Sequence, residues 1–215
     1  MFRRLLAAGL IGGIAGGLIV AGLQAALLTP LILEAEAFEV GGGHGGHDDL
    51  WKRHGASAVV TIAVATGYGW MLLAAMHARG AAIGPRSVLS WAVAGFVATG
   101  LAPALGLPPE APGAASGSLL ARQLWWAGTA LATAFGLALL AWGRGAIYVA
   151  LGLGILALPH LIGAPQAVAT ASPVPAELAA AFAARSLALQ ALIWVLPAAL
   201  AGAWYARLAG RDEEP

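Results

Sequence analysis

The chain has 215 residues, of which 60% are hydrophobic and 10% charged; its formal net charge is +1 and its mean hydropathy +0.82. Soluble domains are roughly half apolar and about a quarter charged, so the composition excludes an ordinary soluble domain and predicts an all-α, polytopic membrane helix bundle. There is no cysteine, which excludes disulfides, iron–sulfur clusters and thiolate metal sites. No basic cluster is interleaved with aromatics, so a nucleic-acid partner is not expected.

Met1–Arg4 is basic, and no further charge occurs before Glu34. The apolar run between them is roughly twice the 7–15 residues of a signal-peptide h-region, which predicts an uncleaved first span over about 5–28. Gly9, Gly12, Gly13, Gly16 and Gly17 form overlapping GxxxG pairs on it, a pattern that lets helix backbones approach closely in lipid. Gln24, Thr29 and Pro30 weaken the helix at its end, and LILEAEAFE has the apolar spacing to resume it amphipathically at the membrane surface.

Residues 34–54 read as a His- and acid-rich extracytoplasmic loop. Further spans are expected over about 55–77, 88–107, 124–142, 146–163 and 186–205, each long enough or nearly so for the ~20 residues that cross ~30 Å of hydrocarbon. Six spans in one membrane domain, 1–215, bring both termini to one side; five remain possible, with 146–163 the weakest. With the termini cytoplasmic, Arg3, Arg4, Arg79, Arg86, Arg144, Arg207 and Arg211 lie inside, against Lys52, Arg53, Arg122 and Arg185 outside, as the positive-inside rule asks. Trp51, Trp91, Trp125, Trp126, Trp142, Tyr148, Trp204 and Tyr205 fall near span ends as interfacial anchors, whereas Trp70 and Trp194 sit deeper and read as packing residues.

The three outer loops share a plan. A helix loses regularity at a proline (Pro30, Pro103, Pro159), an acid follows (Glu34, Glu110, Glu177), and the next helix opens near a base (Arg53, Arg122, Arg185). The plan suggests three parallel helical hairpins whose polar residues gather on the outer face.

Pro30–His54 holds three of the five histidines, five of the ten acids and the only lysine. Its candidate metal ligands are His44, His47, Asp48, Asp49 and His54, with Glu34 and Glu36 upstream. Imidazole with carboxylate suits borderline divalent cations, and ligand type alone leaves Co²⁺, Ni²⁺ and Zn²⁺ open. The glycines of GGGHGGHDD let short side chains fold around an ion, so this stretch reads as a capture loop rather than a rigid site; a solvated polar loop without metal is the alternative. Metal capture there should weaken as pH falls through the unperturbed His pKa of about 6.5.

His160, between Pro159 and Pro165, is the candidate for a deeper ligand, because a proline-broken helix frees backbone carbonyls where a cavity can use them; a packing histidine is the alternative. His77 is expected on the opposite membrane side, so the two cannot ligate one haem. Arg122 and Arg185, with Pro30 and Pro159, are structural or gating candidates: either arginine can pair with Glu110 or Glu177, as a plain tie between loops or as a gate. Gln24, Gln123, Gln190, Thr66, Thr99, Thr129 and Thr133 line a path or simply bond between helices. A P-loop and an HExxH are both missing, no catalytic residues emerge, and an enzyme is not expected.

At PLILEAE, LAPALGLPPEAPG, RQLWW and LPHLIGAP the chain resembles the CbtA family of probable cobalt transporter subunits. The resemblance runs from about Met1 to Arg207. It implies a bacterial inner-membrane protein tied to cobalamin metabolism, Co²⁺ as the transported ligand with no cofactor bound permanently, and a small single-span CbtB-type partner with a histidine-rich tail. Pro30, Glu34, Glu36, Arg122, Trp125, Pro159 and His160 fall in the matching motifs, although the family assigns them no proven role. The family is described with five spans and its metal-binding histidines are attributed mostly to the companion, so GGGHGGHDD reads as a local elaboration. The expected function is uptake of divalent cobalt from the extracytoplasmic side. The alternative is a non-conducting membrane metal-binding or scaffold protein that presents Co, Ni or Zn to a partner.

Overall fold

The computed structural model describes residues 2–38, 47–114, 117–166 and 172–210, with side chains from 52 onward in the second of these segments. Every regular element among the described residues is helical: α1 (Phe2–Leu27), α2 (Thr29–Glu36), α3 (His47–Ala78), α4 (Pro85–Phe96), a π-helical turn (Val97–Leu101), α5 (Ala102–Ala104), α6 (Leu119–Trp142), α7 (Ala146–Ile162) and α8 (Ala176–Gly210). Five stretches are long and apolar enough to cross a membrane: 2–27, 52–78, 85–104, 119–142 and 176–210. The 17-residue α7 is apolar but shorter; at 1.5 Å per residue it reaches about 25 Å.

Three expectations about helix limits are corrected. The stretch 34–54 is not one loop: α2 continues to Glu36 and α3 begins at His47, so His47, Asp48, Asp49 and His54 stand on a helix whose first turns are polar. Arg122 lies in the first turn of α6, which starts at Leu119 rather than near 124. Arg185 does not open a helix; it lies inside α8, which runs unbroken from Ala176 through Pro197. In each case the helix extends beyond the apolar window, because a helix outside lipid can carry charged residues that a hydropathy count ends on.

The contacts divide the chain into two compact units. The first comprises Met1–Pro30, Gly43–Val93 and Ala188–Pro215, and the second Leu31–Gly42 and Ala94–Leu187.

In the first unit, α1 packs on α3 through Gly9, Gly13 and Gly17. A Cβ at Gly9 would stand 2.8 Å from Trp70 Nε1, one at Gly13 2.6 Å from Thr66 Oγ1, and one at Gly17 2.7 Å from Ile62 Cα. Gly12 and Gly16 face α8: their Cβ atoms would meet Ala201 Cα at 2.7 Å and Pro197 N at 2.6 Å. The glycine stripes therefore serve close helix packing, as GxxxG patterns do in lipid. Trp70 lies over Gly9 and donates its indole N–H to the Leu6 carbonyl (3.0 Å). Trp194 is buried and stacks on Tyr68, centroids 4.2 Å apart. Both are packing residues.

In the second unit, α6 and α7 form an antiparallel pair joined by the turn at Gly143–Gly145. Gly136 and Gly152 bring their backbones together: a Cβ on Gly136 would lie 2.9 Å from the Gly152 carbonyl oxygen, and one on Gly152 3.0 Å from that of Gly136. Large apolar side chains on the opposite faces, Leu131, Phe135, Leu151 and Leu158 among them, are exposed. On a water-soluble protein so much exposed apolar surface would be anomalous; facing hydrocarbon, it is what a spanning helix presents.

Candidate functional site

In the second unit, polar residues come together where α6 begins and α7 ends. The preceding helix loses regularity at the π-helical turn Val97–Leu101, and Pro103, fully buried, follows at once. The chain then turns through Gly106 and Pro108-Pro109 to Glu110. Glu110 accepts an ion-paired hydrogen bond from Arg122 on α6 (Nη2 to Oε2, 2.7 Å), with the two side chains 32% and 23% exposed. The proline-rich loop is thus tied to the first turn of α6 by a partly desolvated pair. This resolves the Arg122 alternatives in favour of Glu110 as its partner.

One turn further along α6, Trp125 packs where a Cβ on Gly106 would otherwise stand, 2.8 Å from Trp125 Cζ2 and 2.9 Å from Ala164 Cβ. Only glycine fits at this approach. The indole also meets His160 in a T-shaped contact, ring centroids 6.0 Å apart at 73°. His160 is half-buried in the last turn of α7, and Gly163, at φ +87°, ends that helix by donating its N–H to the Pro159 carbonyl (3.1 Å). The Glu110–Arg122 and Trp125–His160 contacts thus start one turn apart on α6, drawing in a loop and the end of α7.

In the second unit several polar atoms are buried without a partner among the described residues: Arg122 Nε and Trp125 Nε1, and further along α6 the hydroxyls of Thr129 and Thr133, with Ser186 Oγ on α8. A buried polar group left unpaired costs about 1–3 kcal/mol, so the row of them on α6 is where a water, an ion or a ligand would find open partners. In the sequence Arg122, His160 and the threonines stand as separate candidates, and nothing there joins Trp125 to His160. The spacing 122, 125, 129 and 133 is the signal that could have placed the α6 residues on one stripe.

The remaining candidates are distributed elsewhere. Glu34 is exposed and Glu36 half-buried on α2, with Pro30 in that helix's first turn. His54 is half-buried on α3, His77 exposed at that helix's end, and Arg185 exposed within α8. His44 lies outside the described residues, as do the side chains of His47, Asp48 and Asp49. Among the described residues no three His, Asp or Glu side chains gather closely enough to hold a metal ion.

Long apolar helices, glycine-tight packing and apolar outer faces define a polytopic α-helical membrane protein, with a polar cluster at one end of a helix pair. The probable cobalt transporter subunit family, CbtA, matches residues 2–206, and the chain belongs to this family. The family's description makes it a subunit of a cobalt transporter and so implies a partner. No curated protein and no solved structure matches the chain significantly.

Proposed function

We propose that this chain is the membrane subunit of an uptake system for divalent cobalt in the bacterial inner membrane, meeting the ion on its extracytoplasmic face and working with a small His-rich CbtB-type subunit. The observation that carries the reading is membership of the cobalt transporter family over 2–206 by a chain with five helices of spanning length. In this reading α7 is a sixth, short span and both termini are cytoplasmic. His44, His47, Asp48, Asp49 and His54 capture Co²⁺, Glu34 and Glu36 add negative charge at the vestibule, and His160, beside the Arg122–Glu110 pair, is the deeper ligand. The described residues hold no acid in the middle of a spanning helix, where a self-contained proton relay would need one. This supports dependence on a partner or on another ion.

Uptake of labelled Co²⁺ into vesicles containing the full chain, with and without the companion subunit, tests the proposal. Uptake that saturates with cobalt and rises with the companion is expected. His160→Ala should lower uptake roughly tenfold or more, the scale on which loss of a metal-site contact acts. His44→Ala with His47→Ala should raise the cobalt concentration for half-maximal uptake and remove its decline as pH falls through about 6.5. Purified protein that binds Co²⁺ but never moves it, with or without the companion, would replace the transporter reading with that of a metal-presenting scaffold.

A further inference from the structure

The α6–α7 pair contains a second feature that cobalt chemistry does not use. Thr129 and Thr133 are each only 1% exposed, and neither hydroxyl has a partner among the described residues. A threonine inside a helix ordinarily donates to the carbonyl four residues back. Thr66 does so to Ile62 (2.8 Å) and Thr99 to Gly95 (2.9 Å), so the departure at Thr129 and Thr133 is local.

Position shows what these hydroxyls face. Trp125, Thr129, Thr133, Gly136 and Leu140 recur every three or four residues, one stripe of α6. Both ends of the stripe look at α7: Trp125 meets His160, Gly136 meets Gly152 and Leu156, and Leu140 meets Gly152. The threonines lie between these contacts along α6, a helix that packs on α7 and also on the π-helical turn and α5. On α7 the buried positions are Gly152 and Pro159, seven residues apart and so on one face. Pro159 has no N–H to give the carbonyl of half-buried Ile155, four residues back, so that carbonyl lacks its usual helical donor.

We propose that Thr129, Thr133 and the Ile155 carbonyl line a binding site for a partly dehydrated monovalent alkali cation, distinct from the cobalt ligands. The donors are neutral oxygens, and neither α6 nor α7 carries an acid. A divalent transition ion is better served by imidazole and carboxylate, whereas hydroxyls and helix-break carbonyls are how membrane transporters hold a singly charged coupling ion. The nearest fixed charge, Arg122, lies seven residues or about 10 Å along the axis from Thr129 and is offset by Glu110. That the ion couples cobalt movement to a sodium or potassium gradient rests on the uptake reading above; that it binds does not.

Thermal unfolding of the purified full chain, in sodium or potassium chloride against choline chloride at equal ionic strength, tests the site. An alkali-specific rise in Tm of roughly 2–4 °C or more is expected. Thr129→Val and Thr133→Val should abolish it, Thr133→Ser should keep it, and Thr99→Val should leave it unchanged. Should a valine variant fail to fold, Pro159→Ala restores the N–H facing the Ile155 carbonyl and is expected to remove the alkali response while raising Tm in choline. No alkali-specific shift in the parent chain, or a shift that persists in the valine or Pro159→Ala variants, overturns the proposal. A chain that shows the shift but transports no cobalt would sink only the uptake reading.

Discussion

The two units treat buried polarity in opposite ways. In the first, Thr61 Oγ1 donates to Gln24 Oε1 (2.9 Å), Thr66 to the Ile62 carbonyl and Trp70 to the Leu6 carbonyl, and the helices touch through glycine. In the second, Arg122 Nε, Trp125 Nε1 and the Thr129 and Thr133 hydroxyls are buried with no partner among the described residues, and the helices there are interrupted by a π-helical turn, Pro103 and Pro159. In hydrocarbon an unmet polar group has no water to fall back on. In the reading proposed above, the open polar atoms of the second unit are where a ligand is met, and the glycine contacts among α1, α3 and α8 of the first are scaffold, with the proposed capture residues at the start of α3.

This division is broken most directly at the scaffold. The Gly16 Cβ position lies 2.6 Å from the backbone nitrogen of Pro197, and Pro197 is fully buried, so neither atom can step aside as a flexible side chain would. Gly16→Ala is expected to cost about 1–3 kcal/mol, the usual range for overpacking. Gly16→Leu, which forces α1 and α8 apart, should leave no monodisperse protein in detergent chromatography. The same leucine at Gly22, where an added Cβ meets nothing within 4 Å, should be tolerated. If Gly16→Leu folds and melts like the parent chain, the first unit is not held by its glycine contacts.

A smaller effect should appear in the second unit. Glu110→Gln and Arg122→Gln each leave one partly buried charge without its partner, and each is expected to lower stability by about 1–3 kcal/mol. The double variant should recover part of that loss, because its remaining groups are neutral; the coupling read from the cycle measures the pair. If the pair only ties a loop, cobalt uptake should follow stability in all three variants. Uptake that falls much further in Glu110→Gln than in the double variant would make the pair part of the path.

Much of this was legible in the sequence. The glycine periodicity at 9, 12, 13, 16 and 17 survives into the structure because a small-residue stripe has one physical use in lipid. The break at Thr29–Pro30, the loss of regularity near Pro103 and the end of α7 at Gly163 follow from proline's missing N–H and glycine's access to positive φ. What hydropathy could not show is where helices continue past the membrane. His47–His54 and Ala176–Arg185 are helical yet too polar to count as span, so the capture loop appeared longer and Arg185 appeared to open a helix. The π-helical turn was hidden as well, since VATGL has no composition that separates it from α-helix. The Trp125–His160 contact joins residues 35 apart in sequence, a pairing that only the α6–α7 turn decides.

The smallest expected effect lies back in the scaffold, at its polar tie. Gln24 donates to Ser57 and accepts from Thr61, both at 2.9 Å, linking α1 to α3 beyond the last of the glycine contacts. Interhelical hydrogen bonds in membranes contribute about 0.6 kcal/mol on average and rarely more than about 1.7. Gln24→Leu removes two of them but leaves a buried Thr61 hydroxyl that can turn to a carbonyl of its own helix. A loss of about 1 kcal/mol is therefore expected, read as a fall of roughly 2–4 °C in Tm, with cobalt uptake unchanged once folded protein is normalised. Thr61→Val, which removes the hydroxyl itself, should cost less still, because Gln24 keeps its bond to Ser57. A fall in uptake beyond the stability loss in either variant would mean that the α1–α3 contact itself lies on the path of the ion, and that satisfied polar atoms do not mark a passive contact.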